Sequence, residues 1–202
     1  MSRPNFVVIL AEGAGWSSSS VQMDDANAAS KSAWLKMPNL ERLAAGGMRF
    51  ANGYAASPRC TPSRAALFTG RSPAALHMTF VNEGRGGDAA ALARVIAPHA
   101  VMELPESATT IGAFLQRAGY ATAHFGKWHL GHGKGYEPKD RGFDVDIPHT
   151  PRAAGPGGGY LAPWKFVQDP EFKGADGEHI DYWMAGQAGK FMEEAKGKPF
   201  YV

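Results

Sequence analysis

Two short stretches of the chain carry residue types that could do chemistry: Cys60 with Arg64, and Lys127 with His129. Cys60 is the single cysteine and opens the pattern C-x-P-S-R, Cys60-Thr61-Pro62-Ser63-Arg64. Pro62 suits the first position of a helix, where its missing N–H costs nothing. Cys60 would then stand just before a helix N-terminus. The unpaired N–H groups and positive dipole end there attract anions, and Arg64 falls on the first turn. Arg59 and Arg64 make the surroundings electropositive, which favours a reactive thiol. The competing reading is a buried structural thiol, since free cysteine is among the most buried residue types. The polar, turn-forming flanks Ser57-Pro58-Arg59 and Thr61-Pro62-Ser63 speak against it. In Gly126-Lys127-Trp128-His129-Leu130-Gly131, an extended backbone would point Lys127 and His129 to one side. Trp128 and Leu130 read as packing. His77, His99, His124, His132 and His149 read as structural or exposed.

The elements that must position these residues follow an alternating pattern. Residues 5–10, NFVVIL, form a continuous apolar run that suits a strand buried on both faces of a parallel sheet. The loop 11–16 follows at its carboxyl end, where open α/β sheets bind ligands. Residues 38–45 read as a helix started by Pro38 and stopped by Gly46-Gly47. Residues 48–55 read as a strand delivering the Cys60 loop, and 62–68 as the helix after it. Residues 77–87 look irregular, 89–96 helical, and 98–107 a connection. Thr110 caps a helix over 111–118, Gly119 stops it, and a strand over 120–125 leads into the loop 126–135. The Pro/Gly-rich stretch 148–164 reads as a loop or lid. Residues 180–195 carry the strongest helical pattern, with Ile180, Trp183, Met184, Ala188, Phe191, Met192 and Ala195 on one face. Residues 198–202 begin a strand. The alternation predicts an α/β fold with a mostly parallel sheet flanked by helices. Ending on a strand start, it predicts a fold incomplete at the C-terminus.

Composition narrows the function classes. Of 202 residues, 44% are hydrophobic and 20% charged, which reads as globular and soluble, and the net charge is only +2. No run of Lys/Arg points to nucleic acid or an anionic membrane surface. No apolar run reaches spanning length. One cysteine excludes an internal disulfide and leaves the compartment open. No hydrophobic leader precedes the first apolar run.

The stretch Cys60-Thr61-Pro62-Ser63-Arg64-Ala65-Ala66-Leu67-Phe68-Thr69-Gly70 resembles the signature of the type I sulfatases. Arg3 to Trp16 before it and Gly126-Lys127-Trp128-His129-Leu130-Gly131 after it match in the same order. The resemblance implies an alkaline-phosphatase-like fold, with residues 1–202 as the N-terminal part of a single catalytic domain. It implies hydrolysis of a sulfate monoester, on a small molecule or a carbohydrate. Cys60 would be oxidised to formylglycine by a formylglycine-generating enzyme. One hydroxyl of the aldehyde hydrate attacks sulfur, and the other expels sulfate by collapse to the aldehyde. By the same resemblance Arg64 steadies the hydrate, Lys127 binds a sulfuryl oxygen, and His129 contacts the formylglycine hydroxyl. Members are often exported.

The resemblance also implies a divalent cation, usually calcium, which needs several oxygen ligands. The family's two adjacent aspartates after the first strand correspond to Glu12 and Gly13, of which only Glu12 can ligate, together with the formylglycine oxygen at Cys60. Asp24 or Asp25 could fold back as substitutes, or stand as solvated loop acids. On this count the chain alone is expected to be inactive and to bind metal poorly. Two rival readings are a phosphonate or phosphodiester hydrolase of the same superfamily, and a non-catalytic binding protein with a degraded metal site.

Overall fold

A computed structural model describes residues 3–81, 101–148, 159–165 and 172–202. The expected helix at 89–96, the end of the irregular stretch 77–87, His99, His149 and most of the Pro/Gly cluster lie outside these residues. The chain forms two compact units, Met1–Val8 with Ala56–Val202, and Ile9–Ala55.

The first unit is built on a parallel sheet. Strand β1 (Ala121–Phe125) is central, β2 (Val145–Ile147) pairs on one side, and β3 (Phe200–Tyr201) pairs on the other. Thr122, Ala123 and His124 are all buried, as expected of a parallel strand covered on both faces. Residues 6–8 add a further parallel run beside β3, with Phe6 N–H donating to Phe200 O at 2.9 Å and Val8 N–H to Val202 O at 2.8 Å. That run differs from the expected buried strand over 5–10: it is a bridge at Phe6, and Val7 and Val8 are each 49% exposed. Among the described residues its ladder bonds reach only 200–202, so one edge and much of both faces stay open. Strand β2 has no counterpart in the sequence reading; three residues are too few for alternation to show.

Helices flank the sheet. The helix named α2 below, Cys60–Thr69, ends at Gly70, whose φ of 67° is the left-handed C-cap that glycine adopts without strain. Helix α3 (Ile111–Arg117) starts at Thr110, whose hydroxyl oxygen accepts from Ala113 N–H at 3.0 Å and whose hydroxyl donates to Arg141 O. Helix α4 (Ile180–Glu194) turns its apolar stripe inward as predicted: Phe191 meets Phe125 at 6.3 Å and Trp183 meets Phe172 at 4.5 Å. The main core lies where α2 meets the sheet and includes Ala65, Phe68, Leu115, Trp128, Leu130 and Phe143. Buried Arg141 donates to the carbonyls of Leu104, Pro105 and Glu106, which ties the 101–107 connection to this core.

In the second unit, helix α1 (Pro38–Ala45) has the predicted bounds, with Pro38 at its start and Gly46 as its C-cap, yet buries none of its residues. The predicted strand over 48–55 is absent. Residues 51–52 form a turn, and Met48, Phe50 and Tyr54 are exposed. Strand propensity depends on cross-strand neighbours, and Asn52-Gly53 supplies turn chemistry instead. Among the described residues no helix is long and apolar enough to cross a membrane.

Candidate active site

Helix α2 begins two residues earlier than Pro62 suggested. Arg59 is the extended N-cap, Cys60 the first helical residue, and Ser63 N–H closes the first turn onto Arg59 O at 3.1 Å. Pro62 takes the third position, where an N–H still has no partner within the helix, so the ring costs nothing there either. Cys60 is therefore inside the first turn rather than before it. It is a free, half-buried cysteine.

The second stretch follows β1. Gly126 N–H donates to Ile147 O at 2.8 Å, which holds the start of the loop against the end of β2. Side chains then alternate: Lys127 and His129 are half-buried, while Trp128 is 1% exposed and Leu130 is fully buried. Trp128 lies 5.0 Å from the Phe68 ring and donates through Nε1 to Tyr136 O at 2.8 Å. The premise of an extended segment fails at His129, whose φ is 59°. A left-handed non-glycine residue is uncommon and persists where its surroundings fix it. Gly131, at φ 119°, sits where a Cβ would come within 2.9 Å of Tyr136 Cβ, so only glycine lets the chain pass.

The two stretches meet. Arg64, 6% exposed, donates through its guanidinium to Lys127 O, and Thr61 Oγ1 donates to His129 O at 3.1 Å. Residues 68 and 63 positions apart in the chain are thereby locked together, and Cys60, Arg64, Lys127 and His129 belong to one local assembly. The helix N-terminus that carries the thiol is thereby tied to the loop that carries an ammonium and an imidazole, with the Arg64 guanidinium bridging the two. Such a group can bind an oxyanion and move protons beside a nucleophile. Thr61 was passed over in the sequence. Nothing local marks it, because its partner is distant in the chain.

Among the described residues, His77, His124 and His132 are structural or exposed, as expected. His132 and His77 are exposed, and buried His124 meets Asp146 at 3.3 Å between β1 and β2.

Glu12 lies exposed on a turn of the Ile9–Ala55 unit, and Gly13 beside it has φ 73°. Of the loop acids, Asp25 makes a two-oxygen contact with Arg49 at 3.0 Å, and Asp24 Oδ1 accepts from Ala26 N–H at 2.9 Å. Among the described residues no three side chains of His, Cys, Asp or Glu converge as a cation site requires.

A family model described as Sulfatase matches residues 4–201. Over 150 residues the chain is 38% identical to arylsulfatase G of Homo sapiens, covering 73% of this chain and 24% of that protein. Over 142 residues it is 36% identical to N-acetylgalactosamine-6-sulfatase of Mus musculus, covering 70% and 24%. Among solved structures, Ps i-CgsB superposes with a TM-score of 0.70 at 23% identity, over 99% of this chain and 44% of that one. BT4656, solved with D-glucosamine-2-N,6-O-disulfate, superposes with a TM-score of 0.60 at 23% identity, over 99% and 33%. The chain spans about a quarter of the length of the curated relatives it matches.

Proposed function

The chain belongs to the sulfatase family, and from that premise we propose that the protein hydrolyses a sulfate monoester, with a sulfated carbohydrate as the substrate. Among the relatives, one is named for N-acetylgalactosamine 6-sulfate chemistry, and a neighbour was solved with a disulfated glucosamine. The observation that supports the reading is the contact of helix α2 with the 127–130 loop, which ties the segment of Lys127 and His129 to the helix that begins with Cys60.

Matured by a formylglycine-generating enzyme and its oxidant, residue 60 supplies a geminal diol as nucleophile. Its place in the first turn of α2, half-buried, fits that group: the helix N-terminus and Arg64 offer positive potential to the charge that develops there. Arg64 is buried and bound to Lys127 O, so it holds its guanidinium fixed rather than swinging with solvent. Lys127 neutralises a sulfuryl oxygen. His129 hydrogen-bonds a hydroxyl at residue 60 and takes its proton as sulfate departs. Overall, a sulfate monoester and water become an alcohol, sulfate and a proton.

The test uses the complete protein co-expressed with a formylglycine-generating enzyme. Peptide mass spectrometry should find an aldehyde in place of the Cys60 thiol. Lys127→Ala and His129→Ala should each lower turnover of a sulfate ester by about a hundredfold or more, the usual cost of a lost transition-state contact. Exposed His132→Ala should leave it near wild type. A persistent thiol, or equal losses in all three variants, overturns the assignment. Turnover of a phosphonate ester in preference to the sulfate ester would move it to the superfamily rival.

A further inference from the structure

The second position of C-x-P-S-R is written as free to vary, yet in this fold Thr61 is 1% exposed and its hydroxyl donates to His129 O at 3.1 Å. A buried hydroxyl must find a partner. This one reaches the residue whose backbone is left-handed, His129 at φ 59°. A conformation of that kind survives only where its surroundings over-determine it.

Three carbonyls of this loop are each held from elsewhere. Lys127 O accepts from Arg64, His129 O from Thr61, and Leu130 O from Leu104 N–H at 2.9 Å. Between them, the Trp128 side chain is anchored through Nε1 to Tyr136 O. Two of the three carbonyl clamps come from the first five residues of α2, which begins with Cys60. The Thr61 bond fixes the peptide plane that follows His129, and the other two clamps fix the planes after Lys127 and Leu130; together they restrict the backbone at His129, which sets the direction of its side chain. The backbone at His129 is thus tied, through Thr61, to the same helical turn that carries residue 60.

We propose that Thr61 is a positioning residue, whose hydroxyl holds His129 in its left-handed conformation and so aims the imidazole at residue 60. The inference rests on the sulfatase reading for its catalytic consequence and on the backbone geometry for its mechanism. Thr61 touches no substrate. It acts through His129, so its loss should move kcat and leave KM nearly unchanged, since Lys127 keeps its own clamp from Arg64. A displacement of about 1 Å in a catalytic group can cost up to about a hundredfold in rate.

The experiment takes the complete, matured protein and compares Thr61→Val, Thr61→Ala and Thr61→Ser, with aldehyde occupancy at residue 60 measured in each. Val and Ala lack the hydroxyl, and Ala serves if Val does not fold. Both should lower kcat by about tenfold or more with KM unchanged, and Ser should restore it. Crystal structures of the Val or Ala variant should show His129 out of the left-handed region. Wild-type kcat in either variant, or a His129 φ that stays near 59°, overturns the proposal. So does a Ser variant as slow as Val. If the wild type itself turns over no sulfate ester, the family activity is wrong for this protein, and the His129 conformation in the variants still decides the positioning claim.

Discussion

Helix α2 with the 126–131 loop, and the unit Ile9–Ala55, use similar apolar residues to opposite ends. Trp128 is 1% exposed and Trp34 is 88% exposed. Helix α2 buries Thr61, Pro62, Arg64, Ala65 and Phe68, whereas α1 buries nothing. Helix α1 has the better local signals, with proline at its start and glycine at its end. Those signals fix where a helix runs, because they concern the chain's own N–H and C=O groups. They do not supply a surface for it to cover. Around α2 the partners come from residues sixty or more positions away, through Arg64, Thr61 and Phe68.

The sharpest way to break this comparison is a matched truncation. Trp128→Ala removes a ring that packs on Phe68, His124 and Phe143, and leaves Tyr136 O without its donor. It should cost about 3–5 kcal/mol of stability. Trp34→Ala should change stability by no more than about 0.5 kcal/mol, as for exposed sites generally. Denaturant unfolding of the two variants checks both numbers. Equal losses would mean that the 9–55 unit buries Trp34 in solution, and the contrast would disappear.

The same contrast explains what the sequence made legible. The parallel α/β architecture, α1, the Thr110 cap, the inward stripe of α4 and the core roles of Trp128 and Leu130 could all be read, since each depends on local chemistry or on period. The expected strand at 48–55 could not hold, because Met48 and Phe50 find no cross-strand neighbour among the described residues. Strand β2 was too short to show alternation. Of the site, the four motif residues were visible by type and spacing. The start of α2 at Cys60, the left-handed His129 and the Thr61 clamp were not, because each is imposed by a contact across the fold.

A smaller effect sharpens the comparison from the well-packed side. Burial pushes the Asp144 carboxyl up, but hydrogen bonds from Gln116, from Thr122 N–H and from the Thr122 hydroxyl outweigh it and hold the group below its ordinary value. A carboxyl lowered in the folded state stabilises above its unfolded pKa, and that contribution is lost as pH falls through the folded one. Asp144 is exposed, so solvent discounts the gain, and Asp144→Asn should cost about 0.5–1 kcal/mol at neutral pH. The difference in Tm between wild type and variant should shrink as the pH is taken below the carboxylate range. A difference independent of pH would show that the three donors do not act on the charge.

The smallest effect belongs to the open unit. Arg49 meets both oxygens of Asp25 at 3.0 Å, but the Asp25 side chain is 80% exposed and that of Arg49 is 33% exposed. The two-oxygen geometry is good, yet both charges remain largely solvated, so their attraction is offset by the cost of ordering two side chains. A double-mutant cycle with Asp25→Asn and Arg49→Met should give a coupling of about 0.3 kcal/mol, vanishing in about 1 M salt where the screening length falls to about 3 Å. The cycle also separates two uses of the same carboxylate. An acid engaged with Arg49 loses its coupling to salt of any kind. An acid recruited as a cation ligand responds to calcium specifically, because ligation needs the carboxylate oxygens themselves rather than ionic strength. Calcium at millimolar concentration should therefore change the Tm of wild type and Asp25→Asn alike. A calcium-dependent rise in wild type that Asp25→Asn abolishes would place Asp25 on a cation and overturn its reading as a solvated loop acid.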